Sequence, residues 1–232
     1  MAAPLQYQSF CPAGAALNVV GERWALLIVR DLLLGPRRYS ELLSGLGGIG
    51  TDILAARLRT LQDHRIVRQV GNGRSRRYEL TASGQALRPV LVELSRWGAE
   101  RLRLPDDPSR IPIRVPLTSL LVGATTLPRR TNGAYEFQVE DEAVRVAVED
   151  GQIHAAPDRE PVSTIALSRA GLSALIVGAR ASEIEHDGDL SIRGDRRRAQ
   201  ALLDALTGPP LLAGLRGQLA AAGGRADVEA QR

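Results

Sequence analysis

The chain of 232 residues has no lysine, one cysteine and 3% aromatic residues. A single thiol, Cys11, excludes an internal disulfide framework and a cysteine-rich zinc site. Three scattered histidines, His64, His154 and His186, offer no metal-ligand spacing, so no metal and no cofactor are expected. With few aromatics, the core must be built from Leu, Val, Ile and Ala. Long apolar runs are also lacking: residues 25–34 are interrupted by Arg30 and Asp31 and are too short to span a bilayer. The first residues lack the basic and apolar regions of a secretory signal. These absences predict a soluble cytoplasmic protein with no membrane partner.

What is present is arginine, and its distribution is uneven. Residues 1–103 hold 15 Arg against 8 Asp plus Glu, a net of +7, and residues 104–232 hold 15 Arg against 18 acids, a net of −3. A basic front half and an acidic back half predict two modules, of which the first suits a polyanion.

Residues 13–20 and 24–34 read as helices, the second apolar almost all round and stopped by Gly35-Pro36. Residues 39–46 form a short helix that Ser40 can cap, and Gly45–Gly50 is a glycine-rich turn. Residues 51–64 are amphipathic. Two strands, 66–70 and 76–80, flank a polar glycine loop and make a hairpin with an arginine-rich tip. From Thr81 a long helix is expected over 82–104, kinked by Pro89.

Helix, helix, glycine-turned helix, basic hairpin and long helix is the order of a winged helix-turn-helix. A polar helix face fits the major groove of double-stranded DNA while a positive hairpin tip reaches the neighbouring phosphates. On a helical wheel Ile53, Leu54, Leu58 and Leu61 share the core arc, and Asp52, Ala55, Ala56 and Arg59 lie opposite, with Thr51 at the start. Arg57 falls near the inward arc, where a structural salt bridge is expected. Thr51, Asp52, Ala55, Ala56 and Arg59 are therefore candidates for the groove, and Arg38, Ser40, Arg74, Arg76 and Arg77 for the backbone. An arginine cluster alone would read as a solvated surface; its place on a wing favours DNA.

Cys11-Pro12, Gly21-Glu22-Arg23-Trp24 running into Leu26-Leu27-Ile28, Leu33–Leu42 with Gly35-Pro36-Arg37-Arg38-Tyr39-Ser40-Glu41, Gly48-Ile49, Arg57-Leu58-Arg59 and Tyr78–Gly84 together resemble the HxlR family of bacterial regulators. The resemblance covers about residues 10–103. It implies a MarR-like winged-helix homodimer whose N-terminal segment and long post-wing helix form the interface, with two heads on two half-sites. The chain departs from the family at Gly50-Thr51-Asp52, where a basic third residue is common. Some members sense oxidants through an N-terminal cysteine matching Cys11; read from the residue itself, burial as a small apolar side chain is favoured. Trp24 and Trp97 are expected in the core or the dimer interface.

Residues 105–116 are proline-rich and read as a linker. Residues 117–126, 169–177 and 196–206 are helical, and 135–139, 143–148, 152–155, 162–167 and 190–192 are strands. Gly133–Phe137, Val144–Val148 with Asp150-Gly151, residues 171–178 and above all Asp187–Asp195 resemble a sterol carrier protein-type domain. The expected fold class is thus α+β: a winged helix-turn-helix domain, residues 1–104, followed by a small sterol-carrier-like domain, 117–208, and a tail, 209–232. The resemblance implies an apolar tunnel for a hydrophobic small-molecule effector. Val144, Val146, Val148, Ile165, Leu167, Leu172, Leu175, Ile176 and Leu203 would line either that cavity or a solid core. Ser163, Ser168, Asp187 and Asp189 do not assemble with the histidines into a catalytic triad, so no enzyme is expected. Two rival readings stand: the same head with a C-terminal scaffold for dimerisation or a protein partner, or a lipid-handling protein whose winged helix serves oligomerisation.

Overall fold

A computed structural model describes residues 7, 10–99, 101, 111–124 and 126–207. The tail at 209–232 and linker positions 105–110 lie outside the described residues. The chain divides into two compact units, residues 1–91 and 92–232.

In the first unit α1 (Pro12–Val20), α2 (Ala25–Leu32), α3 (Tyr39–Gly45) and α4 (Thr51–Asp63) precede a hairpin of β1 (Val67–Val70) and β2 (Arg77–Leu80). α2 starts one residue later than the pattern suggests, because Trp24 takes a left-handed conformation with φ 80°. Its Ala25, Ile28, Val29 and Leu32 are buried, and α4 packs against α1, α2 and β1 through Leu54, Leu58 and Leu61. Apolar residues at i, i+4 and i+7 make one narrow stripe, so the rest of α4 is left to solvent.

The long post-wing helix is two helices, α5 (Ala82–Gln85) and α6 (Arg88–Ala99). Proline has no N–H and its ring collides with the carbonyl four residues back. For Pro89 that residue is Gln85, where α5 ends. The break therefore precedes the proline by a turn, in place of a kink at it. Thr81 caps α5 by accepting from the Gly84 N–H at 3.2 Å. Gly84 itself admits no side chain, since a Cβ there would lie 2.3 Å from the Ile66 carbonyl oxygen.

The second unit is α+β. α7 (Arg114–Gly123) starts within the stretch read as linker. A five-stranded sheet follows, in the order β5-β4-β3-β6-β7, from β3 (Gly133–Val139), β4 (Glu142–Glu149), β5 (Gln152–Ala155), β6 (Ser163–Leu167) and β7 (Leu190–Gly194). All pairs are antiparallel except β3 with β6. Asp150 and Gly151, with φ 48° and 74°, close the β4–β5 hairpin as the tight turn their sequence suggests. α8 (Arg169–Val177), α9 (Ala181–His186) and α10 (Arg196–Thr207) complete the unit, α9 being a helix the periodicity did not reveal.

Alternation sorts the sheet's two faces. Tyr135, Phe137, Val139, Val144, Val146, Val148, Ile165 and Leu167 are buried, and α8 and α10 pack on β6. The opposite face carries Glu136, which accepts from Arg145 Nε at 2.5 Å and from Gln138 Nε2 at 2.6 Å. The Arg145 hydrogen bond, ahead of the opposing effect of burial, holds the Glu136 carboxyl below its ordinary value.

Tyr135 is fully buried and donates its hydroxyl to the Thr131 carbonyl at 2.7 Å, fixing the 3-10 turn Arg129–Thr131. Burial pushes its phenol above the ordinary value. Tyr135→Phe leaves that carbonyl without its partner, and urea unfolding should show a loss of about 1–2 kcal/mol. An unchanged midpoint would mean that the turn does not depend on this bond.

Candidate nucleic-acid interface

The candidate face is built on α4. Tyr39, at the start of α3, donates its hydroxyl to the Thr51 carbonyl at 2.7 Å and so ties the first residue of α4 to the preceding helix. α3 is held by Glu41, whose carboxylate accepts from the Arg38 N–H at 2.8 Å. That position caps the helix, not Ser40, which is exposed within its first turn. From this fixed start, Thr51, Asp52, Ala55, Ala56 and Arg59 are all exposed.

Ile53 departs from the expectation. Assigned to the core by its wheel angle, it is 47% exposed. It lies one residue before the Leu54–Leu58–Leu61 stripe, on the first turn, where no neighbouring element covers that side. α4 therefore presents a large apolar side chain beside Asp52 and Ala56. Arg57 keeps the role its angle suggested, pairing with Glu22 at 2.7 Å.

The hairpin supplies positive charge next to this helix within the same unit. Gly71 has φ 74°, and the 3-10 turn Gly73–Ser75 forms the tip, closed by Ser75 Oγ donating to the Asn72 carbonyl at 2.7 Å. Arg76 is exposed and Arg77 half-buried; the side chain of Arg74 lies outside the described residues. The wing is reinforced from the other side by Arg37, which exchanges backbone bonds with Tyr78 at 2.8 and 2.6 Å. Arg38 is exposed and Arg37 sits 3.9 Å from Glu41, so Arg38 is the freer of the two.

These features match known proteins. Residues 19–105 match the family model described as HxlR-like helix-turn-helix. The chain is 35% identical over 103 residues to the HTH-type transcriptional regulator YodB of Bacillus subtilis (strain 168), covering 43% of this chain and 91% of that protein. The chain belongs to the HxlR-like helix-turn-helix family. An uncharacterized HTH-type transcriptional regulator of Mycobacterium tuberculosis (strain ATCC 25618 / H37Rv) is 39% identical over 98 residues, 41% of this chain, and the match spans 61% of that relative's length. The structure of YodB in its reduced form aligns with 40% of this chain and 94% of its own at 31% identity and TM-score 0.36. Residues 124–207 match the SCP-2 sterol transfer family model, so an HxlR-like head is fused here to a sterol-carrier-like domain.

Cys11 of the HxlR-like head departs from its expectation, and for Trp97 one of the two expected places falls away. Cys11 is exposed on the single chain, not buried. Trp97 is 61% exposed and so is no core residue; Arg101 stacks 3.9 Å from its ring centroid. With Val90 and Leu94 it forms an exposed apolar row at i, i+4 and i+7 on α6.

In the sterol-carrier-like domain, Val144, Val146, Val148, Ile165, Leu167, Leu172, Leu175 and Leu203 are buried and Ile176 is half-buried. Ser168 caps α8, accepting from the Gly171 N–H at 2.9 Å and donating to Asp189 at 2.6 Å. These are structural bonds. Among the described residues no group of three or more His, Cys, Asp or Glu side chains could hold a metal ion, and no helix is long and apolar enough to cross a membrane.

The geometry of the wing tip makes Gly71 critical. A Cβ there would lie 2.7 Å from the Ser75 carbonyl oxygen, on a residue already at positive φ. Gly71→Ala is expected to cost about 1–3 kcal/mol and to speed hydrogen exchange at the Ser75 and Arg76 amides while the helices stay protected. Unaltered tip exchange would contradict this account of the wing.

Proposed function

We propose that this protein is a transcriptional regulator that binds operator DNA as a homodimer. One observation carries the reading: Thr51, Asp52, Ala55, Ala56 and Arg59 are exposed on one helix of a unit whose hairpin tip also exposes Arg76. Small side chains admit the helix to the major groove, and an arginine there can make a bidentate contact to guanine. Arg38, Ser40, Arg74, Arg76 and Arg77 would hold the sugar-phosphate backbone. The named relatives being HTH-type transcriptional regulators supports the same reading.

A second copy of this chain is the partner that suits the apolar row Val90, Leu94 and Trp97. A face bearing Trp97 at 61% exposure loses favourable burial energy as long as it stays in water. The sterol-carrier-like domain would bind a hydrophobic effector and bias the dimer between head geometries, because a ligand acts only through different affinities for two states. For YodB, 35% identical over 103 residues, one solved structure is described as quinone-bound, which supports small-molecule control of the head here.

Ile53 adds a contact that the wheel did not offer. An exposed apolar side chain on the first turn of a groove helix is suited to the thymine methyl group.

Two measurements test these roles, using sites selected by the purified protein from random DNA. Arg59→Ala should weaken the selected site by about 1–3 kcal/mol with little change on random DNA, whereas Arg76→Ala should weaken both and flatten the salt dependence. Equal effects of both changes on both DNAs would defeat that division. For Ile53, replacing each thymine of the site by uracil deletes the methyl groups one at a time. One position should lose several-fold affinity with the native protein and nothing further with Ile53→Ala. If native protein and variant respond alike at every position, Ile53 touches no methyl.

A further inference from the structure

The second unit belongs to the acidic half of the chain, yet five of its arginines gather round one groove of about 1070 Å³. Arg129 and Arg130 come from the 3-10 turn before β3, and Arg196, Arg197 and Arg198 from the first turn of α10. On the α10 side, Arg197, Gln200, Ala201 and Asp204 share one helix face, flanked by Arg196 and Arg198.

Not all of this charge is available. Arg196 pairs with Glu185, and Arg198 Nε lies 3.3 Å from Asp195. The Asp195 carboxylate is further engaged by its own helix, accepting from the Arg198 N–H at 3.0 Å. Asp204 accepts from Gln200 Nε2 at 3.1 Å. Arg129, Arg130 and Arg197 have no carboxylate partner among the described residues. Three guanidinium groups without a carboxylate partner thus share one concavity with the Asp204 carboxylate, which leaves positive charge in excess at the positive end of a helix of 12 residues. Like charges held together in a cleft focus a positive potential into it.

Both walls are also fixed. The Tyr135 hydroxyl and Thr131 Oγ1, donating to Pro128 at 2.6 Å, hold the turn. On the other wall, the start of α10 is clamped to β6: Asp195 N–H donates to the Val162 carbonyl at 2.9 Å and Ser163 Oγ donates to the Asp195 carbonyl at 2.8 Å. Gly194 permits that approach, since a Cβ there would lie 2.3 Å from the Val162 carbonyl oxygen. A site held in this way loses little entropy on binding.

We propose that this groove is a binding site for a small molecule carrying two or more phosphate groups. Arginine's planar fork matches phosphate oxygens in pairs, and three forks from two walls suit more than one phosphate. The groove's volume is at the upper end for small-molecule sites and leaves room for an organic group beyond the phosphates. The site is separate from the apolar interior of Val144, Ile165 and Leu203, none of which lines it. It needs no DNA binding by the head, so each can fail without the other.

The test is calorimetric titration of the full chain with inorganic pyrophosphate and, in a second arm, adenosine diphosphate, at about physiological salt. Saturable binding is expected, weakened at least about tenfold by Arg197→Gln and by the Arg129→Gln/Arg130→Gln double change, at unchanged melting temperature. Arg197→Lys, which keeps the charge and loses the fork, should lie between native and Arg197→Gln. Arg76→Ala should bind like the native chain. Tighter binding of the nucleotide than of pyrophosphate would add the organic group to the site's ligand; the reverse would confine it to the phosphates. Absence of saturable binding to either probe, loss on Arg76→Ala without loss on Arg197→Gln, or an effect of Arg197→Gln on random DNA alone would each overturn the proposal.

Discussion

The narrow seam of Leu54, Leu58 and Leu61 governs the head. These three side chains are at most 1% exposed and anchor α4 against α1, α2 and β1. A seam of one residue per turn buries little of the helix circumference. Thr51, Asp52, Ile53, Ala55, Ala56 and Arg59 are exposed as a direct result. A wider apolar arc would have stabilised the helix more and left no face to offer a ligand. The function proposed for the head depends on that restraint in its packing.

How the seam is oriented depends on polar bonds made by neighbours. Tyr39 holds the carbonyl of Thr51, Glu41 caps α3, and Arg57 pairs with Glu22. Each is partly exposed, so each contributes modestly to stability. Their effect is geometric: they set where α4 starts and how it is rotated. On the wing side, the Arg37–Tyr78 backbone exchange joins the segment ahead of α3 to β2 and so ties the hairpin to the start of that helix.

Much of this was legible because it is periodic or local. The 3.6-residue repeat found α4 and its inward leucines, Asp150-Gly151 announced a turn through chemistry within four residues, and Thr81 marked where the next helix begins. Ile53 was misassigned because a wheel gives an angle and not the depth of neighbouring elements. Pro89 signalled a helix fault, but the fault lies at Gln85, since the ring strikes the carbonyl a turn earlier. The parallel pairing of β3 with β6 and the helix α9 were not legible: the first is set by non-local packing, and the second is a six-residue helix too short to show a period. Nor was the arginine groove, whose two walls come from distant parts of the chain. Its run Arg196-Arg197-Arg198 read as the ordinary start of a helix.

The two concentrations of unpaired positive charge differ in what surrounds them, and that difference argues for different ligands. Arg76 stands at the tip of a convex hairpin, open on all sides, where a guanidinium is well solvated and gains most from an extended polyanion that releases counterions. Arg129, Arg130 and Arg197 are exposed as well, but they line one concavity from two walls, and like charges brought into one groove repel each other. Such an arrangement raises the free energy of the empty state, and an anion small enough to enter lowers it. A DNA duplex, at about 20 Å across, cannot follow the charge into a groove of this size, whereas a compact di- or triphosphate can. Convex charge on the head and concave charge on the second unit are therefore physically suited to two different partners of the same sign.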